Sequence, residues 1–343
     1  MRFYKDPNKV YLDSAKACPY YYELLDWRNN YEKKSLIQKS EIRLNHKKIV
    51  QSVKKEVSDF FKLKKTDVFF TNSFSQGFQS LVNEINGKPK FIVLEDDYPS
   101  ISDSLKKNNF DLIYVKNDSN IEDNIKNAII KFNPDFLVIS VVQWIDGILI
   151  DNNYLKSLKL EYKNLTIIAD GTQFCGTCNF NFENSPFDVL ISSGYKWMLA
   201  GYGIAFVLIK NNFYSNKFLN TDKSKMQNAI ELGHYDMLAI GSLSLSLKKL
   251  RKSIHSIEKK LKDISKIVSS ELIKLDLLDD KVKNRKEHST IFNIKDPDGS
   301  LFTYLANNNI ICSQRGKGVR LSFNFFNTKS DIKKLINTLI KFN

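Results

Sequence analysis

Cysteine is scarce in this chain: Cys18, Cys175, Cys178 and Cys312 are the four among 343 residues. Cys175 and Cys178 form one CxxC, but no second CxxC and no close histidine pair accompanies it. The donors of a tetrahedral zinc site are therefore missing, no metal is expected, and packing is the expected role of the pair. No apolar run reaches the roughly 18 residues that a membrane-crossing helix needs. The opening MRFYKDPNKVYLD lacks the apolar stretch of a secretory signal, so the cytoplasm is the expected compartment. There is no Walker motif, GxGxxG, internal repeat or low-complexity tract. The net charge of +14 is not gathered into a one-sided basic stripe with interleaved aromatics. Lysines alternate with acids, as over residues 257–263, so nucleic acid is not an expected partner.

What is present suits a soluble α/β enzyme. A 39.7 kDa chain holds one large unit and a smaller one, and buries roughly three quarters of its unfolded surface without staples. The most informative stretch is residues 165–209, where three short apolar runs are separated by polar and glycine-bearing turns. Such runs read as buried strands. The first ends at Asp170, and the second leads into Ser193-Gly194-Tyr195-Lys196. Ligands collect at the carboxyl ends of strands in open α/β sheets. Taken singly, Asp170 reads as a turn aspartate and Lys196 as a solvated lysine. Together they suit pyridoxal phosphate: a lysine amine forms a Schiff base with the cofactor aldehyde, and a carboxylate keeps the ring nitrogen protonated.

Asp170-Gly171-Thr172-Gln173 followed by Ser193-Gly194-Tyr195-Lys196, with the lysine 26 residues after the aspartate, resembles the signature of the class V aminotransferases. These pyridoxal-phosphate enzymes include cysteine desulfurases, selenocysteine lyases and kynureninases. The resemblance implies an aspartate-aminotransferase-like (fold type I) α/β fold, with a mainly parallel seven-stranded sheet in a large domain and a small C-terminal α+β domain. It also implies a pyridoxal 5'-phosphate cofactor, an amino-acid substrate and a homodimer with shared active sites. Lys196 is then the Schiff-base lysine and general acid/base, and Asp170 the partner of the ring nitrogen. Gln173 falls near the cofactor phenolic oxygen, and Ser193 and Tyr195 beside the cofactor. Tyr195 before the lysine is the kynureninase-like feature.

The rest of the chain extends the resemblance. Residues 10–15, Val-Tyr-Leu-Asp-Ser-Ala, are similar to the family's entry segment beside the active site. A strand over 68–71, a polar turn and a helix to about 85 present free backbone N–H groups that favour a phosphate. The resemblance puts Phe74 and Ser75 there, while on residue type alone Ser73 or Ser75 is a plain N-cap. Tyr98, before Pro99-Ser100, matches an aromatic that stacks on the ring, and Gln143 stands at a strand end that faces substrate. Gly233-His234 occupies the place of a Gly-Thr that reaches the partner's phosphate; His234 departs from that threonine. Arg320, in Arg320-Leu321-Ser322, matches the guanidinium that pairs in two-pronged fashion with a substrate α-carboxylate. Arg315 is a weaker second candidate.

Residues 1–40 read as irregular, 41–64 as one amphipathic helix, and 238–275 as a long helix. Strands are expected over 288–294 and 318–323, and a last helix over 329–342. The expected division is an N-terminal segment, 1–30, a cofactor-binding domain, 31–237, and a small domain, 238–343. The competing expectation is a non-catalytic relative that binds a partner or nucleic acid; the joint presence of Asp170, Gln173, Lys196 and Arg320 argues against it.

Overall fold

The computed structural model describes residues 1–342. The chain begins with β1 (Val10–Tyr11), α1 (Tyr22–Gln38), a 3-10 turn (Lys39–Asn45), α2 (His46–Phe61), β2 (Thr66–Thr71) and α3 (Phe74–Asn83). It continues through β3 (Lys90–Leu94), α4 (Pro99–Lys107), β4 (Asp111–Val115), α5 (Ile121–Phe132), β5 (Phe136–Ser140) and α6 (Asn152–Glu161). Then come β6 (Thr166–Asp170), β7 (Val189–Ser193), β8 (Ala205–Lys210), α7 (Lys223–Ile230) and α8 (Met237–Lys274). The last part holds α9 (Asp280–Lys283), β9 (Ile291–Lys295), α10 (Ser300–Asn307), β10 (Ile310–Ile311), β11 (Ser313–Arg315), β12 (Gly318–Ser322) and α11 (Lys329–Phe342).

Seven strands form one sheet in the order β2-β8-β7-β6-β5-β3-β4. Only β8 runs against its neighbours, β2 and β7, so the sheet is mainly parallel, as expected. Parallel strands covered on both faces read as continuous apolar runs. Here alternate side chains enter two different cores. Phe69, Phe91, Val93, Phe136, Val138, Ile168, Val189 and Ile191 pack with Phe78, Leu81, Ile101 and Leu105 of α3 and α4. Phe70, Ile92, Leu94, Leu137, Ile139, Ile167 and Leu190 pack with side chains of α2, α5, α6 and α8. Each such fully buried side chain contributes about 1.5–3 kcal/mol, so the central strands are the most strongly held part of the chain. Their carboxyl ends are correspondingly fixed.

Three C-terminal strands form a separate sheet, β11-β12-β9. Residues 10–18 strap the two sheets together. β1 pairs with β10, Asp13 bridges Ser322, and Cys18 N–H donates to the Tyr195 carbonyl (3.2 Å). Among the described residues, no helix is long and apolar enough to cross a membrane. No group of three or more His, Cys, Asp and Glu among them is placed to hold a metal ion.

Three local expectations are corrected. Tyr22–Gln38 is helical, not irregular. It was invisible to periodicity because Leu24 is its one fully buried residue and Leu25, Leu36 and Ile37 face outward. It docks through Trp27, whose ring lies where a Cβ on Gly241 of α8 would stand, 2.1 Å away. The helix expected over 41–64 is shorter: Lys39 at φ +50° ends α1, and a 3-10 turn fills the space to His46. The strand expected from 288 starts at Ile291, because Ser289 turns its hydroxyl to the Gly147 carbonyl (2.7 Å) and leaves the ladder.

Candidate active site

β2, β3, β5, β6 and β7 deliver their carboxyl ends to one edge of the large sheet. Asp170 is the last residue of β6, and Lys196 follows β7 by three residues. Both are buried: Asp170 is 6% exposed and Lys196 8%. Asp170 accepts the Thr172 N–H at Oδ1 (2.8 Å), which fixes the carboxylate at the turn. Burial pushes the Asp170 carboxyl up, opposed by its Thr172 hydrogen bonds and by Lys196. Burial likewise pushes the Lys196 amine down, opposed by Asp170. An amine lowered this way is a better proton acceptor near neutral pH than a surface lysine.

Aromatic rings enclose the amine. Lys196 Nζ lies 6.0 Å from the Tyr98 ring centre and 5.6 Å from that of Tyr195. Tyr195 in turn stacks on Tyr202 (4.7 Å, 16°), and Tyr98 meets Phe74 and Trp144 edge-on. Tyr98 is placed by its neighbour: Asp97 accepts the Tyr98 N–H at one oxygen (2.7 Å) and the Ser140 N–H at the other (3.0 Å). That pins the loop after β3 to the end of β5.

The N-terminus of α3 opens at the same edge. Ser73 caps it by accepting the Gln76 N–H, and Phe74 N–H donates to Ser193 Oγ (2.9 Å). Ser75 Oγ lies 2.7 Å from Ser100 Oγ. Capping and anion binding coexist at such a helix start. The buried carboxylate, the buried amine, the aromatic wall and the helix N-terminus fit the cofactor expected from the sequence.

Arg320, on β12, is 2% exposed. Its Nη1 donates to the Trp144 carbonyl (2.7 Å), while its Nε has no partner. A buried guanidinium with an unpartnered N–H keeps a donor available for a carboxylate. Arg315 is half-exposed, and its Nη1 donates only to the adjacent Gln314 carbonyl.

Other expected residues sit differently. Gln173 is buried, but Trp197 Nε1 donates to its Oε1 (2.9 Å) and its Nε2 donates to the Ala15 carbonyl (3.0 Å). It ties the strap to the Lys196 segment, leaving one amide N–H uncommitted. Gln143 is buried. Its Nε2 donates to Ser140 O (2.9 Å) and its Oε1 accepts from Asn117 Nδ2 (3.5 Å), so its amide is engaged within the protein. The neighbouring Trp144 carbonyl is the group that meets Arg320. Gly233 and His234 are exposed; His234 Nε2 faces Arg43 Nη2 at 3.2 Å, in a crevice shared with Asn72 and Gln76. Asp13, Asp97 and Trp144 escaped sequence reasoning. Asp13 had one signal, its place in the entry segment, and Asp97 had none.

Comparison with known proteins agrees with this geometry. The class-V aminotransferase sequence profile matches residues 10–335. A curated relative, an uncharacterized aminotransferase of Schizosaccharomyces pombe, is 25% identical over 208 residues. That match spans about half of each protein, 53% of this chain and 52% of the relative. Among solved structures, the apo cysteine desulfurase of Thermococcus onnurineus NA1 superposes with a TM-score of 0.82 at 13% identity, covering 100% of this chain and 99% of that one. The cystine C-S lyase C-DES superposes equally well, with a TM-score of 0.82 at 11% identity and 97% of each chain covered. A NifS-like protein of Rickettsia africae ESF-5 gives 0.79 at 17% identity, covering 97% of this chain and 99% of that one. These likenesses establish a shared fold, and the profile match establishes the family: the chain belongs to the class-V aminotransferases.

Proposed function

We propose that this protein is a pyridoxal-phosphate-dependent enzyme that acts on an α-amino acid, as an aminotransferase or as a C–S or C–C lyase. The observation that carries the proposal is the convergence of a buried amine (Lys196), a buried carboxylate (Asp170) and a buried, incompletely paired guanidinium (Arg320) near one sheet edge. When bound, the cofactor supplies an electron sink for the bonds at the substrate Cα. Every other task falls to the chain. Lys196 Nζ would hold the cofactor aldehyde and serve as the group that moves the proton at Cα. Asp170 keeps a proton on the ring nitrogen by opposite charge. Tyr98 would pack against the cofactor ring, the α3 N-terminus with Phe74, Ser75 and Ser193 would hold the phosphate, and Arg320 would orient the substrate carboxylate.

We take the working form to be a cytoplasmic homodimer. Leu36, Ile37, Leu44, Tyr202 and Leu232 are each at least 60% exposed, and apolar exposure on that scale supports a covering partner. His234 and Gly233 would then serve the partner's site. We take the chain to divide into an N-terminal segment, 1–30, a cofactor-binding unit, 31–237, and a small unit, 238–343; the separate sheets over residues 66–210 and 291–322 support this.

Persulfide formation on a mobile-loop cysteine is not part of this reading. β11 and β12 are joined only by Gly316 and Lys317, and no cysteine stands between Arg315 and Arg320. Cys312 precedes the hairpin, and burial pushes its thiol up to about 12. The test is a screen of amino acids against purified holoenzyme, following cofactor absorption and identifying products by mass. A matching 2-oxo acid marks transamination, and a cleaved side-chain fragment marks a lyase. A cofactor-loaded protein whose spectrum answers no amino acid contradicts the proposal.

A further inference from the structure

Arg320 has a second charged neighbour besides the substrate it is read to take. Asp13, on the N-terminal strap, is 4% exposed and its Oδ1 lies 3.8 Å from Arg320 Nη2. That is ion-pair range but longer than a hydrogen bond. The carboxylate is held back by Ser313: the serine Oγ lies 2.7 Å from each Asp13 oxygen and donates there. Asp13 thus lessens the cost of a buried guanidinium while leaving the Nε–H free.

We propose that Asp13 is a specificity-determining residue that competes with the substrate carboxylate for Arg320, at a distance set by Ser313. This inference rests on the reading of Arg320 as the carboxylate-binding group. A second carboxylate arriving at Arg320 faces Asp13 across one positive charge, and like charges at close quarters oppose binding. Carboxylate ligands therefore bind more tightly when Asp13 is neutral. The charged and titratable groups around it are Arg320 on β12, Arg315 at the end of β11, Lys16 and Tyr11 on the strap, and Cys312 before β11. Burial holds the Asp13 carboxyl above the usual carboxylate range, against Ser313 and the cations.

The experiment compares two aminooxy probes on holoenzyme, aminooxyacetate and methoxyamine. Both capture the cofactor aldehyde through the same group, and only the first carries a carboxylate. The ratio of their capture rates, read from the cofactor absorption band, isolates carboxylate recognition. Asp13→Asn keeps an acceptor for Ser313 and should raise the ratio by about ten-fold or more, because it removes a like-charge contact. Ser313→Ala, which lets Asp13 close on Arg320, should lower it, and carries the test where Asp13→Asn fails to fold. In the parent the ratio should rise as pH falls and Asp13 takes up its proton; in Asp13→Asn it should stay flat, which a merely structural role would not produce. Arg320→Lys should lower the preference by about ten-fold or more, because lysine cannot reproduce the two-pronged contact. If it does not, the Arg320 reading fails and this inference with it. If it does, while Asp13→Asn leaves or lowers the ratio, Arg320 stands and the role of Asp13 is overturned.

Discussion

Lys196 and Asp170 were legible because their chemistry is encoded at short range: a carboxylate at one strand end and a lysine just past the next, 26 residues on. Arg320 was legible only as a matched motif, since an arginine in a strand says nothing by itself of being 2% exposed. Asp13 and Ser313 were not legible as a pair, because 300 residues separate them and only the strap brings them within 2.7 Å. The ties of Gln173 were not legible either: Trp197 Nε1 donates to its Oε1 from 24 residues on, and its Nε2 donates to the Ala15 carbonyl, 158 residues back. At this scale the account predicts that Asp170→Asn retains some cofactor yet loses turnover by about a hundred-fold or more, the usual consequence of removing an electrostatic stabiliser of the reacting state. Steady-state rates on whichever amino acid the screen identifies check this, and unchanged turnover contradicts it. Arg320→Lys should weaken amino-acid binding by about ten-fold or more, because an ammonium cannot reproduce the two-pronged contact.

Among the elements, the central strands and α11 were readable from periodicity. Ile332, Leu335, Ile336 and Leu339 recur at helical spacing and are buried together. α1 was not readable, since it docks through Leu24, Trp27 over Gly241 and an Arg28–Ser242 hydrogen bond, not through an apolar stripe. Short α9 is held by one buried side chain, Val282, and by charge. Arg285, just beyond it, donates from both Nη atoms to Glu122 of α5 (2.8 and 2.6 Å) and to the Leu149 carbonyl (2.7 Å). Burial would raise the Glu122 carboxyl, but Arg285 wins and holds it below its ordinary value. Arg285→Ala should cost about 2–4 kcal/mol at pH 7, since it strands a largely buried carboxylate. A depressed carboxyl contributes stability that is present above its unfolded pKa and lost as pH falls through the folded one. The gap between parent and variant in denaturant midpoint should therefore shrink in acid below about pH 4. A gap that persists there indicates packing, not charge.

For the whole molecule, the N-terminal strap and the contacts of residues 285–291 with the Gly147 turn hold the two sheets in one relation. His288 belongs to the second group. Its ring stacks on Phe292 (4.9 Å) and its Nδ1 faces the Ser289 carbonyl (2.9 Å), while burial pushes its pKa down to about 4. A histidine depressed on folding binds its proton more readily when unfolded, so stability rises with pH across that interval. Melting temperature should fall as pH drops from about 6.5 toward 4, and His288→Asn should flatten part of that slope. An identical slope in the variant excludes His288 as the cause. The architecture was legible at this scale from the order of strands and helices and the family motifs. The strap's closure onto β12 was not, because it pairs residues from the two ends of the chain.

The most direct test of the central claim is borohydride reduction of the purified protein followed by peptide mass mapping. The account predicts one reduced cofactor adduct, on the peptide that contains Lys196. An adduct on a different lysine, or none on a protein that has taken up pyridoxal phosphate, contradicts it.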